Sequence, residues 1–371
     1  MTNDSDGMRL ALEQAAKSLL IATPNPRVGC VIVRNGEILA VGHTHAPGEP
    51  HAEADALRNA AAAGKDVRGA TAYVTLEPCS HHGRTPPCAD ALIAAGIARV
   101  VIATLDSNPL VAGAGVSRLK QAGIEVVSGV LEAEAREINI GFFSRMERGR
   151  PWVRMKIAAS LDGGTALLNG SSQWITSEAA REDGHGWRAQ SCAILTGIGT
   201  VVQDNPQMNV RAIPTTRQPR RIVIDSKLQI NPESKILAGG GTWIFAAQSD
   251  AKHIARLQDQ GAEVILLPDA NGKVDLPEVM RELGRREINE LHVEAGFKLN
   301  GSLLKNGCVD ELLIYLAPCL LGESFGMANL PTLIDLADRT QFTFHEFKQI
   351  GADLRLRARD ISSPLTSSSG K

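Results

Sequence analysis

Aromatic residues make up only 4% of the 371-residue chain, and its 39 Lys and Arg nearly cancel its 41 Asp and Glu. The net charge of −2 leaves no basic footprint, whereas nucleic-acid-binding domains commonly have a pI above about 9. Two Tyr and four Trp cannot supply an interleaved stacking surface for single strands. Nucleic acid is therefore not an expected partner. Long apolar runs are missing as well. The opening MTNDSDGMRL is polar and acidic, while a signal peptide needs a basic start and an apolar core, and a membrane helix needs ~20 apolar residues. Neither a targeting segment nor a membrane partner is expected. The six cysteines (Cys30, Cys79, Cys88, Cys192, Cys308 and Cys319) are too sparse for a secreted disulfide framework, which points to a reducing cytoplasm. No internal repeat of solenoid length is present.

What the chain does have is a rhythm of short apolar runs and helix-forming stretches, and enough length for two domains at roughly 150 residues each. VGCVIVRNGEILAVGH holds two apolar runs joined by Asn35-Gly36, a hairpin signal because both residues tolerate positive φ. AEADALRNAAAAG reads as a helix stopped by Gly64, and CADALIAAGI as a second short helix. GATAYVTLEP, ARVVIATL and GIEVVSGV read as strands, which predicts a layered α/β domain ending near Gly141. The charged, Gly- and Pro-bearing RMERGRPW (145–152) reads as the boundary, giving domains at 1–147 and 151–361. Beyond it WVRMKIAAS, CAILT, RRIVID, TWIFAA, AEVILLP, LHVEAG and DELLIYLAP read as strands, and FTFHEFKQI and DLRLRARD as a hairpin around Gly351. The Ser-rich tail 362–371 is expected to be disordered.

The first half carries one chemical constellation. His51-Ala52-Glu53 opens the Ala-rich helix, Pro78-Cys79 ends a strand, and Cys88 opens the second helix. One imidazole and two thiolates make a three-ligand zinc set that keeps a fourth position for water. Helix N-termini favour thiolate over thiol. Glu53 lies roughly 200° around an ideal helix from His51, so it reads as a proton carrier beside the metal and not as a ligand. His-x-Glu followed by Pro-Cys and a further Cys is the signature of hydrolytic nucleobase deaminases. The insertion SHHGRTPP between the cysteines suits a phosphorylated or hydroxylated substrate. A closed structural zinc site is the rival reading, with His81 or His82 as fourth ligand.

These motifs and others resemble a known family. HAE, TLEPCSHHGRTPPC and PNPRVGCVIV in the first half resemble the bifunctional riboflavin-biosynthesis deaminase-reductases. In the second half so do MKIAASLDG, SSQWITS, RAQSCAILTGIGTVVQDNP, RIVIDS and VDELLIYLAPCLLG. The resemblance spans roughly residues 8 to 360. It implies an α/β protein with an N-terminal cytidine-deaminase-like α/β/α domain and a C-terminal dihydrofolate-reductase-like α/β domain. It implies zinc-dependent deamination of 2,5-diamino-6-(5-phosphoribosylamino)pyrimidin-4-one, then NADPH-dependent reduction of the ribosyl group to ribityl. Glu53 would be the catalytic acid–base, His51, Cys79 and Cys88 the zinc ligands, and Asn25 a contact to the pyrimidine.

The reductase half carries no Gly-x-Gly-x-x-Gly after a strand, so spacing alone does not point to NADPH. The resemblance implies that Ser172, Arg188, Met208, Arg211 and Glu294 contact the second substrate, with the arginines suited to a 5′-phosphate. It places Ala158, Trp174, Thr200, Asp204, Ser226 and the run Gly296, Phe297, Lys298, Leu299, Asn300, Gly301 and Ser302 at the NADPH site. A core aromatic is the alternative reading for Trp174, and Lys156 reads as a group that steers the opened ribose or donates a proton, or as a solvated lysine. Ala295 stands where the family often has glycine, and its Cβ is expected to crowd the cofactor. His43, His45, His185, His253, His292 and His345 read as residues without partners. Small phosphorylated pyrimidines are the expected partners, in a homo-oligomer. The alternatives are a nucleic-acid-editing deaminase and a zinc-stabilised scaffold without catalysis.

Overall fold

The computed structural model describes residues 3–80, 86–108, 112–363 and 365. The insertion between the cysteines, with His81, His82 and Arg84, falls largely outside these residues, as does most of the tail. The chain forms two compact units, Met1–Arg148 and Gly149–Lys371.

The first unit opens with α1 (Asp4–Ala16), capped by the Asn3 side chain and acidic in its first turn. A hairpin follows, β1 (Gly29–Arg34) and β2 (Glu37–His43), turning at Asn35 and Gly36 with φ of 53° and 81°. Then come α2 (Ala52–Ala62), β3 (Thr71–Val74), α3 (Cys88–Ala94), β4 (Arg99–Ile102), α4 (Ala114–Gln121), β5 (Glu125–Ser128), α5 (Glu132–Ile138) and α6 (Ile140–Arg148). The sheet order is β2-β1-β3-β4-β5. The pairs β2/β1 and β1/β3 are antiparallel, while β3/β4 and β4/β5 are parallel. Side chains alternate across a strand, so the layers follow from two glycines. A Cβ at Gly29 would strike the Ala11 carbonyl, which puts α1 against one face of β1. A Cβ at Gly42 would strike the Ala52 carbonyl and the Ala56 nitrogen, which puts α2 on the other face, because Gly42 pairs with Cys30. Helices thus cover both faces, the expected α/β/α arrangement.

One element was not anticipated and one boundary moves. The acidic opening is a helix, and it buries Met8, Ala11 and Ala15. The first unit runs past Gly141, because Ile140, Phe142 and Phe143 form a buried stripe on α6 that carries the helix through Arg148. Only residues 149–151 connect it to the next strand.

The second unit contains β6 (Trp152–Ser160), β7 (Ala166–Leu167), α7 (Glu178–Gln190), β8 (Ala193–Gly197), α8 (Ile198–Asp204), β9 (Arg220–Ile224) and β10 (Trp243–Ala246). It continues with α9 (Ala251–Asp259), β11 (Glu263–Leu266), α10 (Leu276–Arg285), β12 (Glu290–Val293), α11 (Phe297–Lys305), β13 (Glu311–Ala317), β14 (Ser324–Phe325), β15 (Phe342–Ile350) and β16 (Asp353–Asp360). Nine strands form one sheet in the order β11-β10-β9-β8-β12-β6-β13-β16-β15, parallel except for the final hairpin around Gly351. After β8 the chain moves to one side of the sheet, and after β12 to the other. The switch point therefore lies between β8 and β12, where open parallel sheets form a ligand crevice beyond their strand ends.

Candidate active sites

In the first unit the chain places one imidazole and two thiols together. His51 is the N-cap residue of α2, with extended backbone (φ −73°, ψ 167°) and no side-chain capping bond. Its ring is aimed instead at the cysteines, with Nδ1 3.4 Å from Cys88 Sγ and 3.7 Å from Cys79 Sγ. Zn–N and Zn–S bonds of ordinary length in a tetrahedron place nitrogen and sulfur about 3.6 Å apart, so the donor set fits zinc as it stands. The Cys88 N–H, at the start of α3, donates to Cys79 Sγ at 3.3 Å. The Cys88 thiol and the His51 ring, together with that N–H, hold Cys79 toward thiolate. The shared proton in turn pushes Cys88 up. Among the described residues the group comprises these three ligands. The rival fourth ligands, His81 and His82, lie outside the described residues.

Glu53 sits in the first turn of α2 and is buried. Burial, reinforced by the Cys79 charge, pushes its carboxyl up to about 7, a range in which it can both take and give a proton. The loop that delivers Cys79 is pinned by Glu77, a residue not singled out in the sequence. Its buried carboxylate accepts the backbone N–H groups of Asp106, Gly113 and Val116 at 3.0 to 3.2 Å. Asn25 lies in a turn closed by its own N–H to the Ala22 carbonyl.

In the second unit β8 ends at Gly197, the N-cap residue of α8, and Gly296, three residues beyond the end of β12, is the N-cap residue of α11. The two helix starts face one another. A Cβ on Gly197 would lie 3.0 Å from Leu299, and one on Gly296 would lie 3.8 Å from Thr200 Oγ1. Two helix N-termini at a switch point make a site for an anionic dinucleotide, which fits NADPH. A strand–Gly–helix pattern occurring twice was the signal available in the sequence.

Comparison with known proteins finds relatives of both units. Residues 1–104 match the cytidine and deoxycytidylate deaminase zinc-binding region, and residues 151–356 match the RibD C-terminal domain. The riboflavin biosynthesis protein RibD of Escherichia coli (strain K12) is 48% identical over 363 residues, covering 94% of this chain and 97% of the relative. Among solved structures, Acinetobacter baumannii RibD (form 1) superposes with a TM-score of 0.89 at 40% identity, covering 96% of this chain and 98% of that one. A diaminohydroxyphosphoribosylaminopyrimidine deaminase/5-amino-6-(5-phosphoribosylamino)uracil reductase from Thermotoga maritima gives 0.85 at 33% identity, with the same shares covered. The chain belongs to the RibD family.

RibD proteins join a zinc deaminase to an NADPH-dependent reductase, and the donor sets described above fit both cofactors. The remaining expected residues distribute unevenly. Thr200 and Asp204 lie on α8, the run 297–302 forms the start of α11, and Ser226 follows β9, where its Oγ accepts the Val274 N–H at 3.1 Å. Ala158 lies in mid-β6, opposite Tyr315. Trp174 is 68% exposed, with the Arg181 guanidinium 4.5 Å from its ring centre, so it is not a core aromatic. Ala295 packs against the apolar core of this unit, so its methyl has a place there.

Arg188, Arg211 and Glu294 cluster with Lys156 and His185. Arg188 is committed to protein groups: Nε and Nη2 bond Glu294 at 2.5 and 2.8 Å, and Nη1 bonds the Asn209 carbonyl. Arg211 is exposed, and among the described residues its Nη1 bonds a neutral amide oxygen, Asn209 Oδ1. Its backbone N–H donates to His185 Nδ1 at 3.4 Å. Burial, followed by the charges of Arg188 and Arg211, pushes His185 down to about 4. Lys156 is half-buried in β6, and burial pushes its ammonium down. Met208 is buried with φ of 47°, and Ser172 is half-buried nearby in sequence to Trp174. Several histidines read as solitary do have partners. His253 Nε2 meets the Ile230 carbonyl at 2.9 Å, His292 Nε2 lies 3.3 Å from Glu294, and His43 and His45 face Asp55.

Proposed function

We propose that this chain catalyses the two consecutive steps named for the Thermotoga relative. The first unit would deaminate 2,5-diamino-6-(5-phosphoribosylamino)pyrimidin-4-one, and the second would reduce the ribosyl group of the product to ribityl. The observation that carries the reading is the convergence of His51, Cys79 and Cys88 beside buried Glu53.

Zinc held by those three side chains would supply a water activated near neutral pH. Glu53, buried beside them, is placed to hold and move the protons, taking one from the attacking water and returning one to the departing ammonia. The three N–H groups on Glu77 tie the Cys79 loop to the segment that leads from β4 into α4 and hold that loop in place. Asn25 orients the pyrimidine ring. In the second unit NADPH supplies the hydride. Gly296 and the first turn of α11 seat its phosphates, with Thr200, Asp204, Ser226, Ala158 and Trp174 lining the rest. Arg211, with no carboxylate partner among the described residues, meets the substrate 5′-phosphate, while Arg188 orients Glu294 toward the sugar. Ser172 and Met208 complete that wall. Lys156 Nζ, with its lowered proton affinity, is the proton donor to the opened sugar.

No described helix is long and apolar enough to cross a membrane. All six cysteines are free, which supports a reducing cytoplasm. The exposed Phe344 and Phe347 on the sheet-edge strand β15 support a homo-oligomer. A coupled assay tests the function: ammonia release from the phosphorylated diaminopyrimidine, and NADPH consumption when the deaminated product is supplied. Failure of either reaction with zinc-loaded protein removes the corresponding half of the reading.

A further inference from the structure

Strand β2 closes with His43, and His45 follows two residues on. Their rings stack with centroids 4.4 Å apart and planes tilted by 32°. Both face Asp55, one turn into α2: His45 Nε2 lies 3.2 Å from Oδ1, and His43 Nδ1 lies 3.8 Å from Oδ2. Asp55 is buried, and its Oδ2 accepts the His43 backbone N–H at 3.2 Å. On the far side of the His45 ring, Nδ1 stands 3.9 Å from the exposed carboxylate of Glu49.

We propose that His43, His45 and Asp55 form a second, structural site for a divalent transition-metal ion, suited to zinc, that clamps α2 onto β2. It is separate from the His51, Cys79 and Cys88 group and does not depend on the reading of that group's chemistry. One ligand atom from each of the three residues lies within 4.8 Å of the others. His45 Nε2 is buried and makes no hydrogen bond among the described residues, although a carboxylate oxygen is within reach. A lone pair and a carboxylate oxygen directed at a common ion have that arrangement. Nitrogen and oxygen ligands of tetrahedral zinc stand about 3.3 Å apart. The His45 contact already matches this, and a small turn of the His43 ring brings in the third ligand. The surrounding groups also fit, because ligating imidazoles and carboxylates are usually held from behind. Glu49 stands behind His45, and the His43 N–H holds Asp55. Two imidazoles and one carboxylate favour zinc, nickel or cobalt over magnesium or calcium.

Arg58 supplies the counter-charge when no ion is bound. Its Nη2 lies 2.5 Å from Asp55 Oδ1, and its side chain is 59% exposed, so it can swing into solvent as a cation enters. The Asp55 N–H donates to the His51 carbonyl at 2.9 Å, an intrahelical bond that holds the first turn of α2 with or without the ion, so the neighbouring cysteine site keeps its geometry when the ion leaves.

The test uses the full chain equilibrated with zinc alone, reading metal content and ammonia release together. The wild type should take up a second equivalent of zinc. His43→Ala and His45→Ala should each lose that equivalent while keeping the first one and keeping ammonia release, which also shows that the unit is folded. Arg58→Ala removes the competing cation and should tighten the second site by up to about fivefold. Cobalt gives an independent readout: the cysteine site should show sulfur-to-cobalt charge transfer, the second site only ligand-field bands. The proposal fails if the wild type saturates at one equivalent. It fails equally if the second equivalent survives both histidine substitutions, or if Arg58→Ala leaves its affinity unchanged.

Discussion

The guanidinium of Arg188 on α7 and the carboxylate of Glu294 at the end of β12 meet edge to edge, Nε on Oε1 at 2.5 Å and Nη2 on Oε2 at 2.8 Å. Burial alone would raise the Glu294 carboxyl, but the charge and hydrogen bonds of Arg188, helped by His292, hold it well below the usual carboxylate range. A bidentate pair of this kind positions a carboxylate and leaves little of the guanidinium for a phosphate. Arg188→Ala should therefore lower kcat of the reductase step, with a smaller effect on substrate KM. Arg211→Ala should raise KM for the phosphorylated substrate by about one to two orders of magnitude with kcat nearly kept. Steady-state kinetics on the two variants separate the roles. Equal KM effects from both would return Arg188 to the phosphate.

Glu53→Gln removes the proton carrier while keeping size and burial. Ammonia release should fall by about 10²- to 10⁴-fold. Zinc content should stay at the wild-type level, and NADPH oxidation on the deaminated product should not change. Retained ammonia release in this variant would show that another group moves the protons.

The grouping of the three candidate zinc ligands was readable in the sequence because each sits beside a local signal: His51 before an Ala-rich helix, Cys79 after a strand, Cys88 at the next helix start. The strands of both units were readable for the same reason, since parallel strands covered on both faces give continuous apolar runs. The first helix was not. Its apolar face is only Met8, Ala11 and Ala15, and Gly7 lies against the Tyr73 ring where a larger residue would stand off. Nor was the reductase crevice, because it depends on strand order. Gly197 and Gly296 are far apart in the chain and come together only because β12 inserts next to β8. The pairing of Arg188 with Glu294 is hidden for the same reason, since no local pattern links α7 to the end of β12.

Gly42 lets the backbones of β2 and α2 touch, and a Cβ there would overlap the Ala52 carbonyl and the Ala56 nitrogen. Backbone atoms cannot yield as a flexible side chain does, so Gly42→Ala must lift the start of α2. A loss of about 1–3 kcal/mol is expected, together with weakened zinc binding and ammonia release, because His51 and Glu53 ride on that helix. Reductase activity assayed on its own substrate should remain. Zinc titration with the two activity assays checks this, and normal ammonia release would show that the helix start tolerates the shift.

Glu77→Gln places an amide NH₂ where one of two oxygens accepts backbone N–H groups from Asp106, Gly113 and Val116. Whichever way the amide turns, a buried donor meets a donor, a cost of about 1–3 kcal/mol. Because Glu77 lies two residues before Cys79, zinc affinity should fall along with stability. Glu77→Gln in the apo and zinc-loaded chain, compared by thermal melts, should show a smaller zinc-dependent gain than the wild type.

Glu311 on β13 is fully buried and faces three guanidinium groups, Arg154 at 2.6 Å, Arg357 at 3.0 Å and Arg359 at 3.1 Å. Burial would raise its carboxyl, but the charges of Arg154 and Arg357, then Arg359, hold it far below the ordinary range. A carboxyl whose affinity for protons is lower folded than unfolded stabilises the fold above its unfolded pKa, about 4.3 for Glu. That contribution fades as pH falls through and below this value, when the unfolded chain takes up a proton that the folded one refuses. Glu311→Gln leaves the three arginines facing a neutral amide and should cost about 3–5 kcal/mol at neutral pH. Below about pH 4 the gap between variant and wild type should narrow. Denaturant melts of the reductase-unit transition at neutral and acid pH measure both effects. A gap that is constant with pH would mean that the loss is one of packing, with the Glu311 charge contributing nothing.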